Sequence, residues 1–157
     1  MTELQSTLAQ VLSHNTYKEL TTALVKLIID NPEGRIDPLA RNELLRQYNI
    51  RRISDIKEQS LSVVLAYAEQ CLEDGVMTDE EIKNMTLLKA YFGIEEGDFY
   101  RNNRQADVHR ILSEQLTKMY ADGVIDRNEA MLQSEMQGMF GLSYGEYESF
   151  INDFLKK

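Results

Sequence analysis

The chain has 157 residues, of which 43% are hydrophobic and 27% are charged, and this length and composition predict one globular domain. The formal net charge of −9 makes phosphate backbones and anionic lipid surfaces poor partners, so we expect no nucleic-acid binding. Divalent cations and basic proteins remain open as partners of an acidic chain.

No run of apolar residues approaches the roughly 20 needed to cross a bilayer. The first ten residues have neither a basic n-region nor an apolar h-region. We therefore expect no membrane insertion and no secretion signal. The single cysteine, Cys71, cannot form an internal disulfide, which is typical of a reducing compartment. The predicted localisation is cytoplasmic.

Nearly all of the chain follows a helical pattern. The segment Tyr17–Asp30 carries one apolar stripe at helical spacing, and Thr16 with Glu19 predicts a capping box at its start. Asp37 followed by Pro38 predicts the start of another helix, because aspartate favours the N-cap and proline the first helical position. The apolar stripe of Tyr17–Asp30 consists of Leu20, Ala23, Leu24, Leu27 and Ile28. The fold class predicted is all-α.

An internal repeat occupies the second two thirds of the chain. Residues 69–81 and 117–129 align without a gap, at a constant spacing of 48 residues. Matched glycines, aromatics and acids at that spacing indicate a duplicated helical unit. The matched pairs include Asp74 and Asp122, Gly75 and Gly123, Val76 and Val124, Glu81 and Glu129, Phe92 and Phe140, Gly93 and Gly141, and Gly97 and Gly145.

The two copies are predicted over about residues 55–102 and 106–155 of a single domain, 1–157. In each copy a helix ends at a glycine, and a second helix opens on Thr78 or Asp126 and closes at a Phe-Gly pair. A further short helix follows, and Ser143 with Glu146 predicts a capping box for the last one. The whole is a compact bundle of about seven to nine helices. Whether residues 33–50 form a degenerate third copy stays open.

The acidic turns between paired helices allow two interpretations. Glu81 and Glu129 lie where a capping box places its glutamate, and such a cap needs no ligand. Asp74 and Asp122, however, lie in the last turn of a helix, where the field of the carbonyl groups disfavours an anion. We therefore expect a positive group nearby, either a metal ion or a basic side chain.

The spacing from Asp74 to Glu81 matches the second half of an EF-hand loop. The first half is missing, because Gln70 and Leu72 stand where that loop has carboxylates, and Lys118 and Tyr120 stand there in the second copy. A regular EF-hand is therefore not expected. An oxygen site pooled from neighbouring turns would suit Ca²⁺, Mg²⁺ or Mn²⁺ rather than Zn²⁺.

The pattern of an Asp-Gly turn, a glutamate, a helix and a closing Phe-Gly resembles the TerB-like family of tellurite-resistance-associated proteins over about residues 60–155. This resemblance implies a compact all-helical bacterial domain that binds a divalent metal, in a stress, tellurite-resistance or defence setting. Arg127 stands where the first copy has Asp79, which departs from the pattern. The metal-binding positions that the resemblance implies are Asp74, Glu81, Asp122 and Glu129, with Asp126 in an acidic slot of the second turn.

Three functions remain possible from the sequence. The first is a non-enzymatic TerB-like protein that binds a divalent cation through its acidic turns. The second is a metal-independent adaptor whose acidic surface binds a basic protein, and the third is a metal-dependent hydrolase. No catalytic residue is predicted. His14 lies in a connecting segment and His109 at an apolar-face position, so we expect a structural role for both. Cys71 falls on an apolar helix face, where a buried thiol is unreactive.

Overall fold

Helices are the regular elements of the part of the chain that the computed structural model describes, residues 2–32, 35–121 and 129–156, without the side chains of 129–132. That part contains nine α-helices and one short 3-10 helix, Ile53–Ile56, which confirms the all-α prediction. The α-helices are α1 Glu3–His14, α2 Glu19–Asp30, α3 Pro38–Gln47, α4 Lys57–Leu72, α5 Asp79–Tyr91, α6 Asp98–Arg101, α7 Gln105–Ala121, α8 Glu129–Phe140 and α9 Tyr144–Leu155.

Side-chain caps start several helices where the sequence predicts them. The Asp37 carboxylate accepts hydrogen bonds from two backbone N–H groups in the first turn of α3, and Pro38 occupies the first helical position. At the start of α9, the Glu146 N–H donates to the Ser143 hydroxyl and the Ser143 N–H donates to the Glu146 carboxylate. Both starts are confirmed, because each cap satisfies backbone donors that have no partner within the helix.

The predicted capping box of Thr16 and Glu19 is wrong. Helix α2 begins at Glu19, with Lys18 as an N-cap that makes no side-chain hydrogen bond to the helix. Tertiary contacts fix this start instead. The Lys18 N–H donates to the side chain of Gln59 on α4, and the Glu19 carboxylate accepts a hydrogen bond from the Tyr48 hydroxyl.

Left-handed residues close helices α3, α5 and α8. Gly93 and Gly141 have φ of 64° and 63°, and Asn49 has φ of 58° at the end of α3. After Gly93, the Ile94 N–H donates back to the Lys89 carbonyl, which is the hydrogen bond of a Schellman motif. Asparagine can replace glycine here because its short polar side chain tolerates this backbone conformation.

Helix α4 forms the centre of the molecule, with α1, α5 and α7 packed against it. Its apolar side chains face nearly all directions, as expected for a helix covered on most sides. Cys71 lies on this buried surface with Val64 and Ala68, as predicted. The buried side chains of α4 are Ser60, Leu61, Val63, Val64, Leu65, Tyr67, Ala68, Cys71 and Leu72.

Helix boundaries follow the 48-residue spacing. Moving Lys57–Leu72 by 48 positions gives 105–120, which differs by one residue from the bounds of α7. The third helices differ more, because Gly97 precedes α6 with φ of 80° whereas Gly145 lies inside α9. On α9 the side chains of Tyr147 and Phe150 are buried, but Leu155 is 66% exposed.

No helix in the described part of the chain is both long enough and apolar enough to cross a bilayer. Gly34, on which the possible third copy partly depends, lies outside the described residues.

Candidate functional site

The turn between α4 and α5 carries the acidic residues of the first repeat copy, and residues 73–81 are called the acidic turn below. At its end, the Glu81 carboxylate accepts a hydrogen bond of 2.9 Å from the Thr78 N–H. The Glu81 N–H donates in return to the Thr78 hydroxyl, at 3.1 Å. Glu81 is 8% exposed. Its carboxylate therefore acts as a helix cap, which is the structural one of the two roles proposed from the sequence.

Asp74 has a different environment from Glu81. Its side chain is exposed and makes no hydrogen bond or ion pair with any residue in the described ranges. Glu73 is also exposed, and its carboxylate accepts a hydrogen bond from the Gln70 side chain. Asp74 and Glu81, which the resemblance names as metal ligands, thus differ in burial and in hydrogen bonding.

The carbonyl end of α4 is bound by Lys118 of α7. Its ammonium donates to the carbonyl oxygen of Leu72, the last residue of α4, and also lies 3.2 Å from the Glu114 carboxylate. A cation at this position stabilises the helix because the last carbonyl groups carry partial negative charge. A basic side chain from α7 therefore binds the end of α4, and a positive group beside Asp74 stays a prediction.

A buried glutamine holds the middle of the acidic turn. Gln115 on α7 is 1% exposed, and its side-chain oxygen accepts a hydrogen bond of 2.8 Å from the Met77 N–H. Its amide nitrogen donates to the Met77 carbonyl at 3.4 Å. One side chain thus satisfies both backbone groups of a buried residue and attaches the turn to α7.

Glu3 at the start of α1 lies close to acidic residues at the start of α5. Burial, followed by the negative charges of Glu81 and Glu80, raises the pKa of Glu3 above its ordinary value. Burial likewise raises the pKa of the Cys71 thiol, with a further contribution from Glu81. Cys71 is therefore an unreactive thiol, because the thiolate is the nucleophilic form.

The acidic turn of the second copy is outside what the structure describes. Asp122 and Asp126 lie in residues 122–128, and Glu129 is described only as the first backbone position of α8. Among the described side chains, no three His, Cys, Asp or Glu groups come together as a possible metal site. Metal binding by the second turn stays a prediction.

Long-range basic caps are the residues that the sequence analysis missed. The Lys89 ammonium donates to the carbonyls of Gly138 and Met139 near the end of α8, at 2.6 and 3.0 Å. The Arg41 guanidinium donates to the Tyr91 carbonyl at the end of α5, at 2.6 Å. No local sequence signal identifies such residues, because their partners lie 49 and 50 positions away.

Both histidines have structural contacts. The His109 ring makes a 2.6 Å hydrogen bond with the Tyr100 hydroxyl and packs against Phe150. The His14 ring lies 3.2 Å from the side-chain oxygen of Gln70 at the surface. These contacts agree with the structural surroundings that the sequence predicts for both residues.

Comparison with known proteins gives no family assignment. No family model, no curated protein and no solved structure matches the chain. The resemblance to the TerB-like family therefore stays a prediction.

Proposed function

We propose that the chain is a non-enzymatic, metal-independent protein-interaction domain whose acidic turn binds a basic segment of a partner protein. The observation that carries this proposal is the exposure of Glu73, Asp74 and Glu80 on one turn, with Glu3 of α1 close enough for the charges of Glu81 and Glu80 to add to its raised pKa. Like charges held close together oppose one another, and a lysine or arginine from a partner would relieve that repulsion.

Residues of the chain itself bind the end of α4, cap the start of α5 and hold the backbone of Met77, which supports the proposal. Lys118 binds the end of α4, Glu81 caps α5 and Gln115 holds Met77. The exposed carboxylate of Asp74 takes no part in these contacts. It is therefore available to a second molecule without loss of a helix cap.

The same contacts favour a protein partner over a metal ion at this turn. A hard cation needs several oxygen ligands that converge on one point. One oxygen of Glu81 is already bound to the Thr78 N–H, and Asp74 is exposed without a partner among the described residues. A basic peptide can use carboxylates spread along a surface, because each lysine or arginine pairs separately.

The proposal is tested by fluorescence anisotropy with a labelled peptide of alternating lysine and glycine as the probe. One variant removes three charges from the acidic turn, and a control removes three exposed carboxylates elsewhere, so that both change the net charge equally. The acidic-turn variant combines Glu73→Gln, Asp74→Asn and Glu80→Gln; the control combines Asp30→Asn, Glu43→Gln and Asp153→Asn.

We expect the acidic-turn variant to bind the peptide roughly fivefold to tenfold more weakly, from three exposed ion pairs, and the control to bind as wild type does. Added EDTA should leave the affinity unchanged. Equal weakening in both variants would mean that only the overall charge matters, and loss of binding in EDTA would mean that a metal bridges the two; either result overturns the proposal.

The cellular setting is proposed from the TerB-like resemblance rather than from the turn. It would place the domain in the bacterial cytoplasm, in a stress, tellurite-resistance or defence system. The peptide experiment is independent of that setting.

A further inference from the structure

Basic residues are concentrated in one segment of this acidic chain. Residues 35–57 contain six lysines and arginines but three acids, so the segment has a net charge of +3, which leaves −12 for the remainder. The segment comprises the three residues before α3, α3 itself, the loop that follows it, the 3-10 helix and the first residue of α4. It is separate in sequence from the acidic turn, and it contains none of the residues proposed there to bind the basic partner.

The segment lines an open groove of about 950 Å³ together with the loop that follows α5. Four arginines and one carboxylate, that of Glu95, line this groove, which is called the arginine groove below. Ile50 and Ile53 add apolar surface, and both are half-buried against the core. The four arginines are Arg41, Arg46, Arg51 and Arg52.

The four arginines differ in what they already bind. Arg41 is committed to the fold, because its guanidinium donates to the Tyr91 carbonyl and lies over the Tyr91 ring, 5.8 Å from the ring centre. Arg46, Arg51 and Arg52 are exposed, and their guanidinium groups make no hydrogen bond or ion pair with the residues that the structure describes. Three charged groups with all of their donors unused therefore border one groove.

We propose that the arginine groove binds a short acidic segment of a partner protein, with glutamate or aspartate carboxylates on Arg46, Arg51 and Arg52 and an apolar side chain on Ile50 and Ile53. A guanidinium suits this partner because its planar donors match the two oxygens of a carboxylate. The apolar surface between the arginines adds contact area that a free inorganic anion would not use.

The charge of the rest of the chain favours a short peptide over a longer polyanion. At physiological ionic strength a charge is screened beyond about 8 Å, so a short segment in the groove interacts mainly with the arginines. A nucleic acid or a lipid surface extends beyond that distance and meets the remainder of the chain, with its charge of −12.

A second copy of this chain is a less suitable occupant. Its acidic turn would have to bind the arginine groove of the next copy, and such a head-to-tail contact between two different surfaces continues into open chains unless it closes into a ring. The proposal therefore names a segment of a different protein, and self-association becomes an outcome of the test.

The test uses anisotropy of a labelled peptide of alternating glutamate and leucine, with a second peptide that has glutamine in place of glutamate. Unlabelled oligothymidylate serves as the nucleic-acid competitor. The groove variant and the control variant again change the net charge equally, and all six substituted residues are exposed. The groove variant combines Arg46→Gln, Arg51→Gln and Arg52→Gln; the control combines Lys26→Gln, Lys83→Gln and Lys156→Gln.

We expect the glutamate peptide to bind wild type about tenfold more tightly than the glutamine peptide, and to bind the groove variant about tenfold more weakly than wild type. The control should stay within about twofold of wild type. The acidic-turn variant should bind this peptide normally, which separates this proposal from the proposed function.

Three results would overturn the proposal. Equal weakening in the groove variant and the control would leave only a general charge effect. Stronger competition by oligothymidylate than by unlabelled peptide would assign the groove to nucleic acid. Sedimentation of wild type as oligomers that the groove variant lacks, with no peptide binding, would assign the groove to self-association.

Discussion

The Lys57 ammonium at the start of α4 lies 2.7 Å from the Asp98 carboxylate at the start of α6. Lys57 also donates to the Gly93 carbonyl at 2.8 Å, just after α5 ends. Asp98 accepts two further hydrogen bonds of 2.7 Å, from the Arg101 guanidinium and from the Glu95 N–H. This pair therefore connects three consecutive helices of the first repeat copy, α4, α5 and α6.

Replacing Asp98 with asparagine should destabilise the protein by about 2–3 kcal/mol at neutral pH, because Lys57 then keeps no carboxylate partner in a mostly buried position. The Lys57 and Asp98 side chains are 19% and 9% exposed. Urea unfolding measures the change, with the exposed Asp153→Asn as the control. An unfolding free energy within about 0.5 kcal/mol of wild type would contradict this structural role.

Acid should abolish the contribution of Asp98. Burial alone would raise the pKa of Asp98, but hydrogen bonds from the Glu95 amide, Lys57 and Arg101 outweigh it and hold the pKa below its ordinary value of 3.8. A depressed pKa in the folded state adds stability that is complete above pH 3.8 and is lost as the pH falls through the folded value. The stability difference between wild type and Asp98→Asn should therefore narrow below that pH in urea titrations.

Gln115→Leu should cost about 2 kcal/mol, because it leaves the Met77 N–H and carbonyl buried without partners. The control is Gln105→Leu at the exposed start of the same helix, for which we expect a change below about 0.5 kcal/mol. Hydrogen exchange at the Met77 amide gives a second measurement. Protection of that amide in the Gln115→Leu variant would show that another group binds it.

Lys118→Met should lower stability by about 1 kcal/mol through loss of the cation at the end of α4. Lys118→Arg keeps the charge and should recover most of that loss. Thermal unfolding at low and high salt measures both variants, and the difference between them should shrink at high salt because the interaction is electrostatic. Equal stability of Lys118→Met and Lys118→Arg would show that the charge is not needed.

Gly93→Ala should destabilise by about 2–3 kcal/mol, from a strained left-handed backbone and an overpacked contact. A Cβ at this position would lie 2.7 Å from Cγ2 of Ile53. At the matching end of α3, Asn49→Gly should be tolerated and Asn49→Ala should cost about 1 kcal/mol, because φ there is 58°. Denaturant unfolding of wild type and the three variants measures these changes in stability. Wild-type stability of both alanine variants would contradict the prediction.

Calorimetric titration with Ca²⁺, Mg²⁺ and Mn²⁺ tests the metal prediction. We expect Asp74→Asn with Glu81→Gln to leave any binding heat unchanged, because glutamine preserves the capping box and Asp74 has no converging partner. Any metal site that the TerB-like resemblance implies would then depend on Asp122, Asp126 and Glu129. Heat that disappears in the first variant would place the metal at the acidic turn and contradict the proposed function.

Local signals in the sequence predicted much of the architecture. The caps at Asp37, Thr78 and Ser143 and the left-handed residue at Gly93 depend on side chains and backbone within a few positions of one another. Such interactions are encoded in short motifs. The helical class follows because apolar positions recur at the period of a helix.

The tertiary structure decided which distant residues contact the helix ends at the acidic turn and elsewhere. The positive group expected beside Asp74 stays a prediction. Only the packing of α7 against α4 brings Lys118 to the Leu72 carbonyl at the end of α4. The capping box at Thr16 failed for a similar reason, because contacts from α4 and Tyr48 fix the start of α2. The sequence by itself thus determined the helices and their duplication, through interactions between near neighbours. The groups that complete each helix end, and the arginines that share one groove, depend on contacts between distant positions, which a single sequence does not encode in any local motif.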